Sequence, residues 1–226
     1  MSVVKASIAQ MIENDELKDE VLHGHSVTMK DSSFITFYDY EGTLKEEDIA
    51  HINYKPTHIV IANFADVKVE DNTKSRVLIT LVKGSFIQVI KDNQVLLADG
   101  GIGYINPRFI REFIRDKNLI IPNALSYLEV PYRWGGKTPM GIDCSGFVFM
   151  SYLLAGFIIH RDAHLVSPII EISPSEMRPN DLIFFEGHVA IYIGNGNIIH
   201  AGSKNGMVKI ESLSKRNDIV KVGAYV

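Results

Sequence analysis

Two textures of hydrophobic patterning divide the chain. Over the first 110 residues, short runs alternate apolar and polar positions between clusters of turn residues, as in Ser85–Ile90 and Gln94–Ala98. Period-two alternation of that length predicts half-buried β-strands. Arg111–Leu119 reads as a short linking helix, and from Asn123 the texture changes. A helical segment at Ala124–Leu128 stops near Pro131, and glycine-rich loops follow. Cys144 to Ala155 is then apolar and free of proline, which predicts a buried helix. Strand-like runs return at Asp181–Phe185, His188–Ile193, Ile198–Ala201 and Met207–Ile210. Helices followed by strands joined through short turns predict an α+β domain.

The β-rich part carries a weak internal repeat. An apolar opening (Val3–Ile8; Ile59–Phe64) leads to a Leu/Val-then-Gly unit, Val21-Leu-His-Gly24 in one copy and Leu81-Val-Lys-Gly84 in the other. A second glycine follows 18 residues later at Gly42 and 19 later at Gly103, before a short apolar close at Ile49 and at Ile110. The pattern resembles tandem bacterial SH3-like domains, small β-barrels spanning residues 1–55 and 56–110, with 111–122 as linker and 123–226 as a further domain. That family often has Gly-Trp at the second glycine; this chain has Gly42-Thr43 and Gly103-Tyr104.

Composition narrows the possible functions. A net charge of −4 provides no basic field for nucleic acid or an anionic membrane, so neither is expected as a partner. One cysteine in 226 residues excludes an internal disulfide and leaves a free thiol, which favours a reducing compartment. The longest apolar run, Phe147–Ile159, is broken by Ser151 and Gly156 and falls short of a membrane span. The first residues show no apolar core followed by a cleavage site, so a cytoplasmic protein is expected.

That single cysteine sits in Asp143-Cys-Ser-Gly146, at the head of the apolar helix. Asp143 suits the N-cap, which would place Cys144 in the first turn, where backbone N–H groups favour a thiolate and can hold an oxyanion. Downstream, Gly187-His188-Val-Ala-Ile-Tyr and Ile199-His200-Ala201 each supply a histidine on a strand. Cysteine followed by two histidines is the order of a cysteine hydrolase, with His188 as general base and His200 orienting its ring. Register tests this reading. A two-residue Asn195-Gly196 turn alone would set His200 opposite Ile191, on the wrong face. A three-residue loop or a bulge sets it opposite Ala190, on the face of His188, and that arrangement is expected. The other histidines (His23, His25, His51, His58, His160, His164) read as ordinary structural or surface residues. Without CxxC or HxxxH spacing, a zinc site from Cys144, His188 and His200 is the weaker alternative.

Together, Pro131-Tyr-x-Trp-Gly-Gly136, Asp143-Cys-Ser-Gly146, Arg178-Pro-x-Asp-Leu-Ile-Phe-Phe185, Gly187-His-Val-Ala-Ile-Tyr-Ile-Gly194 and Ile199-His-Ala201 resemble the NlpC-type cell-wall cysteine peptidases. The resemblance implies a papain-like α+β domain in which the Tyr132 hydroxyl lies beside the Cys144 thiol and helps to bind the oxyanion. The whole arrangement is most similar to γ-D-glutamyl-L-diamino acid endopeptidases, which cut peptidoglycan stem peptides bearing a free N-terminal L-alanine. It implies that Asp143 pairs with the substrate ammonium and Ser145 contacts the peptide. A residue of Tyr38-Asp-Tyr40-Glu41-Gly42, Glu41 above all and also Tyr40, would close the pocket. In Arg161-Asp162-Ala163 relatives often have serine third. A monomer acting on L-Ala-γ-D-Glu-L-Lys or its diaminopimelate counterpart, without a cofactor, is therefore expected. The alternative is a secreted lysin acting on intact wall, anchored by its SH3-like domains.

Overall fold

Gly24 and Gly84, the matching glycines of the repeat, both adopt left-handed backbone, with φ of +79° and +94°, where a side chain would be strained. The structure, a computed structural model, describes residues 2–225. It gives the two turns the same hydrogen bonds. Gly24 and Gly84 donate to Val4 and Val60, while Val4 and Val60 donate to His25 and Ser85. The repeat is thus a repeated turn that closes each opening strand onto its own sheet.

Residues 2–51 supply a five-stranded antiparallel sheet and the hairpin Ile8–Glu13/Glu16–Leu22; residues 58–112 supply a seven-stranded antiparallel sheet. No strand is formed between 52 and 57, where the sequence divides its two copies. Both sheets fall within one compact unit, Met1–Phe113, and are compatible with small SH3-like barrels. Val60, Ala65, Val67, Leu81, Ile87 and Val95 form a fully buried core in the second. His23 and His25 join the copies. The His23 carbonyl accepts from Phe86 N–H at 2.8 Å, its Nε2 accepts from Ala98 N–H at 3.1 Å, and His25 Nε2 donates to the Gly84 carbonyl at 3.0 Å.

The second unit is Ile114–Val226. Its start corrects the linking helix expected over 111–119. Ile110–Glu112 is a strand, with Ile110 buried opposite Val60. Only Lys117–Leu119 makes a helical turn, capped by Asp116 and running directly into helix α1, Ile120–Leu125. Sheet pairing of an alternating segment overrides its modest helical tendency. Helix α2, Cys144–Leu153, buries every residue except Ser145, as an all-round apolar helix must. It packs on α1 and on the next sheet. That sheet is antiparallel: β1 Ile169–Ile172, β2 Leu182–Phe185, β3 His188–Gly194, β4 Asn197–Gly202, β5 Met207–Ser212 and β6 Ile219–Tyr225. Its spatial order is β1-β6-β2-β3-β4-β5. Among the described residues no helix is long and apolar enough to cross a membrane.

A Cβ on Gly24 would collide with the Phe86 carbonyl, whereas one on Gly196, also left-handed, would meet nothing within 4 Å. Gly24→Ala should therefore cost at least about 2 kcal/mol, the backbone strain plus displacement of a neighbouring strand, and Gly196→Ala only about 1 kcal/mol. Urea unfolding midpoints of the two variants measure the difference.

Candidate active site

Asp143 fixes the start of α2. Its Oδ1 accepts the Gly146 N–H at 2.6 Å, so Cys144 becomes the first helical residue. Oδ2 accepts the Gly135 N–H at 2.9 Å, tying the glycine-rich loop to the helix. The buried Arg161 grips both oxygens, Nη1 to Oδ1 at 3.1 Å and Nη2 to Oδ2 at 3.0 Å, a bidentate fork. Ser145 Oγ accepts from Arg161 Nη1 at 2.8 Å and lies 3.3 Å from Asp143 Oδ1. These donors fill the roughly four lone-pair sites of a carboxylate. The expected contact with a substrate ammonium therefore requires Asp143 to share its charge with Arg161. Sequence reasoning does not find this ion pair, because Arg161 follows α2 in a stretch with no periodicity. Gly146 is required for the same packing, since a Cβ there would strike the Gly136 carbonyl and come 2.9 Å from Asp143 Oδ1.

The histidines come from β3 and β4. Asn195 and Gly196 both have positive φ, +52° and +69°, and form a two-residue turn with Gly194 opposite Asn197. A bulge then drops one residue, so that Tyr192 faces Ile198 and Ile191 faces Ile199. The shift that the sequence required arises from the bulge rather than from a longer loop. It leaves His188 and His200 diagonal neighbours on one face, with His188 Nε2 2.9 Å from His200 Nδ1. Both rings line one cavity with Cys144 and Tyr132, together with Glu186, Lys204, Glu211, Lys215, Arg216 and Asp218. Its volume, about 520 Å³, is that of a small-ligand site.

The site keeps its charges low. Burial, reinforced by the Asp143 carboxylate, raises the Cys144 thiol above its ordinary range, while backbone N–H groups of Val189 and Ser145 act in the opposite direction. Burial, with His200 and Arg216 adding to it, pushes His188 down to about 4. Burial lowers His200 as well, against the pull of Glu211. At neutral pH the cavity therefore holds a thiol and two neutral imidazoles. Tyr132, half-buried and held by its N–H to the Gly206 carbonyl at 2.7 Å, is raised to about 12 by burial and then by the neighbouring Cys144 and Asp143. Its hydroxyl stays protonated and can donate.

Tyr40 and Glu41 lie in the first unit. Tyr40 is buried beneath the Lys18 ammonium, 4.8 Å from its ring centre. The Glu41 carboxylate accepts from Ser33 Oγ at 2.6 Å and from Lys30 Nζ at 3.3 Å, and these bonds lower its pKa. Among the described residues, no three His, Cys, Asp or Glu side chains are placed to hold a metal ion. Glu211 and Arg216 were not found from sequence. The available signal was strand alternation, which puts Glu211 on the same face of β5 as the partner of His200, Lys209.

A buried cysteine at a helix N-terminus and a hydrogen-bonded histidine pair on an antiparallel sheet line one cavity, an arrangement that can carry out thiol chemistry. The chain belongs to the NlpC/P60 family of peptidoglycan-hydrolysing peptidases, whose model matches residues 129–220. It is 36% identical over 237 residues to dipeptidyl-peptidase 6 of Lysinibacillus sphaericus, covering 91% of this chain and 88% of that protein. It is 33% identical over 105 residues to the γ-D-glutamyl-L-lysine dipeptidyl-peptidase of Bacillus subtilis, covering 42% of this chain and 36% of that one. An NlpC/P60 family protein from Bacillus cereus ATCC 10987 has the same fold, with a TM-score of 0.83, 19% identity and 99% of each chain covered.

Arg161→Met should cost about 3–5 kcal/mol, because it leaves the Asp143 charge buried without its partner; urea unfolding at neutral pH measures this. His188 predicts a pH effect. The folded ring stays neutral to about pH 4, whereas an unfolded imidazole takes its proton near 6.5. Between those values protons bind the unfolded chain preferentially, so stability should fall as pH drops from 6.5 to 4. The decline should be shallower in His188→Gln, measured as the urea midpoint across that window.

Proposed function

We propose that this chain is a cysteine peptidase that hydrolyses the bond between γ-D-glutamate and the following L-diamino acid in peptidoglycan stem peptides. The observation that carries the reading is the His188–His200 hydrogen bond on the wall of the cavity that holds Cys144. With Nε2 engaged by His200, His188 has Nδ1 free to take the thiol proton. The Cys144 sulfur then attacks the γ-carbonyl of D-glutamate, and the oxyanion meets the first-turn N–H groups of α2 and the Tyr132 hydroxyl. His188 returns the proton to the departing amine, leaving a thioester. It next deprotonates water, which releases L-Ala-γ-D-Glu and restores the thiol. Because both imidazoles rest neutral, proton transfer accompanies the attack.

Support for the bond cleaved is the name carried by the Bacillus subtilis relative and the extent of the match to the Lysinibacillus sphaericus one. The assignment of Ser145 and Asp143, and of Tyr40 and Glu41, to the alanine end of the substrate rests on the family resemblance. A pocket shaped around a free alanine ammonium rejects capped peptides, which offer no ammonium donors and carry added bulk at that nitrogen. Intact wall carries muramic acid on that nitrogen. The enzyme would thus act as a cytoplasmic monomer on recycled wall fragments.

Mass-spectrometric product analysis of L-Ala-γ-D-Glu-L-Lys and its N-acetylated counterpart tests this, with Cys144→Ala as control. The free-amine peptide should release L-Ala-γ-D-Glu at least about a hundredfold faster than the capped one, and the control should release none. Equal cleavage of both would move the enzyme to the intact wall as a secreted lysin. Cleavage of neither, with lysine or diaminopimelate third, would overturn the substrate.

A further inference from the structure

The His188–His200 pair raises a question of tautomers. A 2.9 Å bond between two neutral rings needs one donor and one acceptor. For His188 Nδ1 to be the base, His188 must carry its proton on Nε2 and donate it to His200 Nδ1. His200 must then carry its own proton on Nε2. That nitrogen is buried, and no well-formed hydrogen bond satisfies it. The nearest carboxylate oxygen is Glu211 Oε2, 3.4 Å away on the neighbouring strand β5. The opposite tautomer pair, with His200 donating from Nδ1, would place the proton of His188 on Nδ1 and abolish the base.

We propose that Glu211 is a positioning residue, whose carboxylate accepts the Nε2–H of His200 and so holds both histidines in the one tautomer pair that leaves His188 Nδ1 a base for Cys144. The inference rests on the thiol-hydrolase reading of the site but not on which peptide is cleaved. Glu211 is itself held. Lys209 Nζ lies 3.2 Å from Oε1 and Arg216 Nη1 lies 3.9 Å from Oε2. Arg216 is in turn fixed by Asp218, with both bonds at 2.8 Å, and its guanidinium lies 4.0 Å from the Phe185 ring centre. Phe185 tilts against the His188 ring at 5.8 Å. These groups, with Glu186, Lys204 and Lys215 in the cavity, make up the charge around the histidines. Glu211 is the acid within reach of His200. When His188 takes the thiol proton, the long contact shortens, as resting-state contacts of this kind do, and the carboxylate offsets the positive charge arising two rings away.

Since the chain has one cysteine, iodoacetamide reports on the pair without any substrate. Carboxamidomethylation of the intact wild type, Glu211→Gln and Glu211→Ala is followed by mass spectrometry from pH 5 to 9, as initial rates. In parallel, ¹⁵N NMR of the imidazoles gives their tautomers. Wild-type His200 should carry its proton on Nε2. Glu211→Ala should mix the tautomers, alkylate about ten- to a hundredfold more slowly at neutral pH, and need higher pH to reach its full rate. Glu211→Gln should keep the tautomer, because its amide oxygen still accepts the bond, but share the upward pH displacement through loss of charge. On a cleaved stem peptide the Glu211→Ala loss should fall on kcat with KM little changed. Unchanged tautomers and rates in Glu211→Ala, or a wild-type His200 protonated on Nδ1, would overturn the proposal. Failure of wild type to cleave the peptide would overturn the substrate reading and leave these measurements standing.

Discussion

One carboxylate organises the reactive end of the second unit. Asp143 caps α2 through the Gly146 N–H, draws in the glycine-rich loop through the Gly135 N–H and receives both arms of Arg161. Each bond alone is ordinary. Together they fix the start of α2, the glycine-rich loop and the Arg161 segment to one another, and Cys144 adjoins their junction. A charge pair as buried as this one adds little net stability over an apolar replacement of the same shape. What it does provide is geometry: the fork admits one orientation of the Arg161 segment and one starting point for the helix.

The second constraint is a bulge. A type of hairpin that prefers two residues in its turn would put the histidines on opposite faces of the sheet, because side chains alternate. Asn195 and Gly196 take the left-handed turn that such hairpins favour, and the register slips by one residue between Gly194 and Tyr192. The fold thereby keeps its tight turn and still places His200 beside His188. Each device determines where a side chain of the cavity can be.

Much of this was legible in the sequence, and the limits have physical causes. The cap, the apolar helix and the two histidine strands follow from short-range rules, since capping and alternation act over a few residues. The repeat was legible because Gly24 and Gly84 meet a backbone requirement only glycine meets cheaply, and that requirement recurs with the fold. The Arg111–Leu119 segment was misread because its strand exists only by pairing with His58–Val60, a partner some fifty residues earlier in the chain. Arg161 was missed as the partner of Asp143 for the same reason. Long-range ion pairs leave no periodicity behind. Glu211 stood between the two cases. Its face was predictable from alternation, but its meaning appeared only once β5 was paired with β4.

That pairing also gives a physical reason for a histidine as the third member of the proposed Cys144–His188–His200 site. β4 lies inside the sheet and His200 is 2% exposed. An ionised carboxylate at that position would have to be desolvated, at a cost of several kcal/mol that few neighbours there could offset. A neutral imidazole avoids this cost and still accepts the bond from His188, provided its own proton has somewhere to point. β5 is the edge strand, where the Glu211 side chain is 18% exposed and next to Lys209 and Arg216. Placing the negative charge there, one strand outward, lets water and two cations solvate it while it still acts on the inner ring. The histidine pair is thus a way of transmitting a charge that the core of the sheet could not hold.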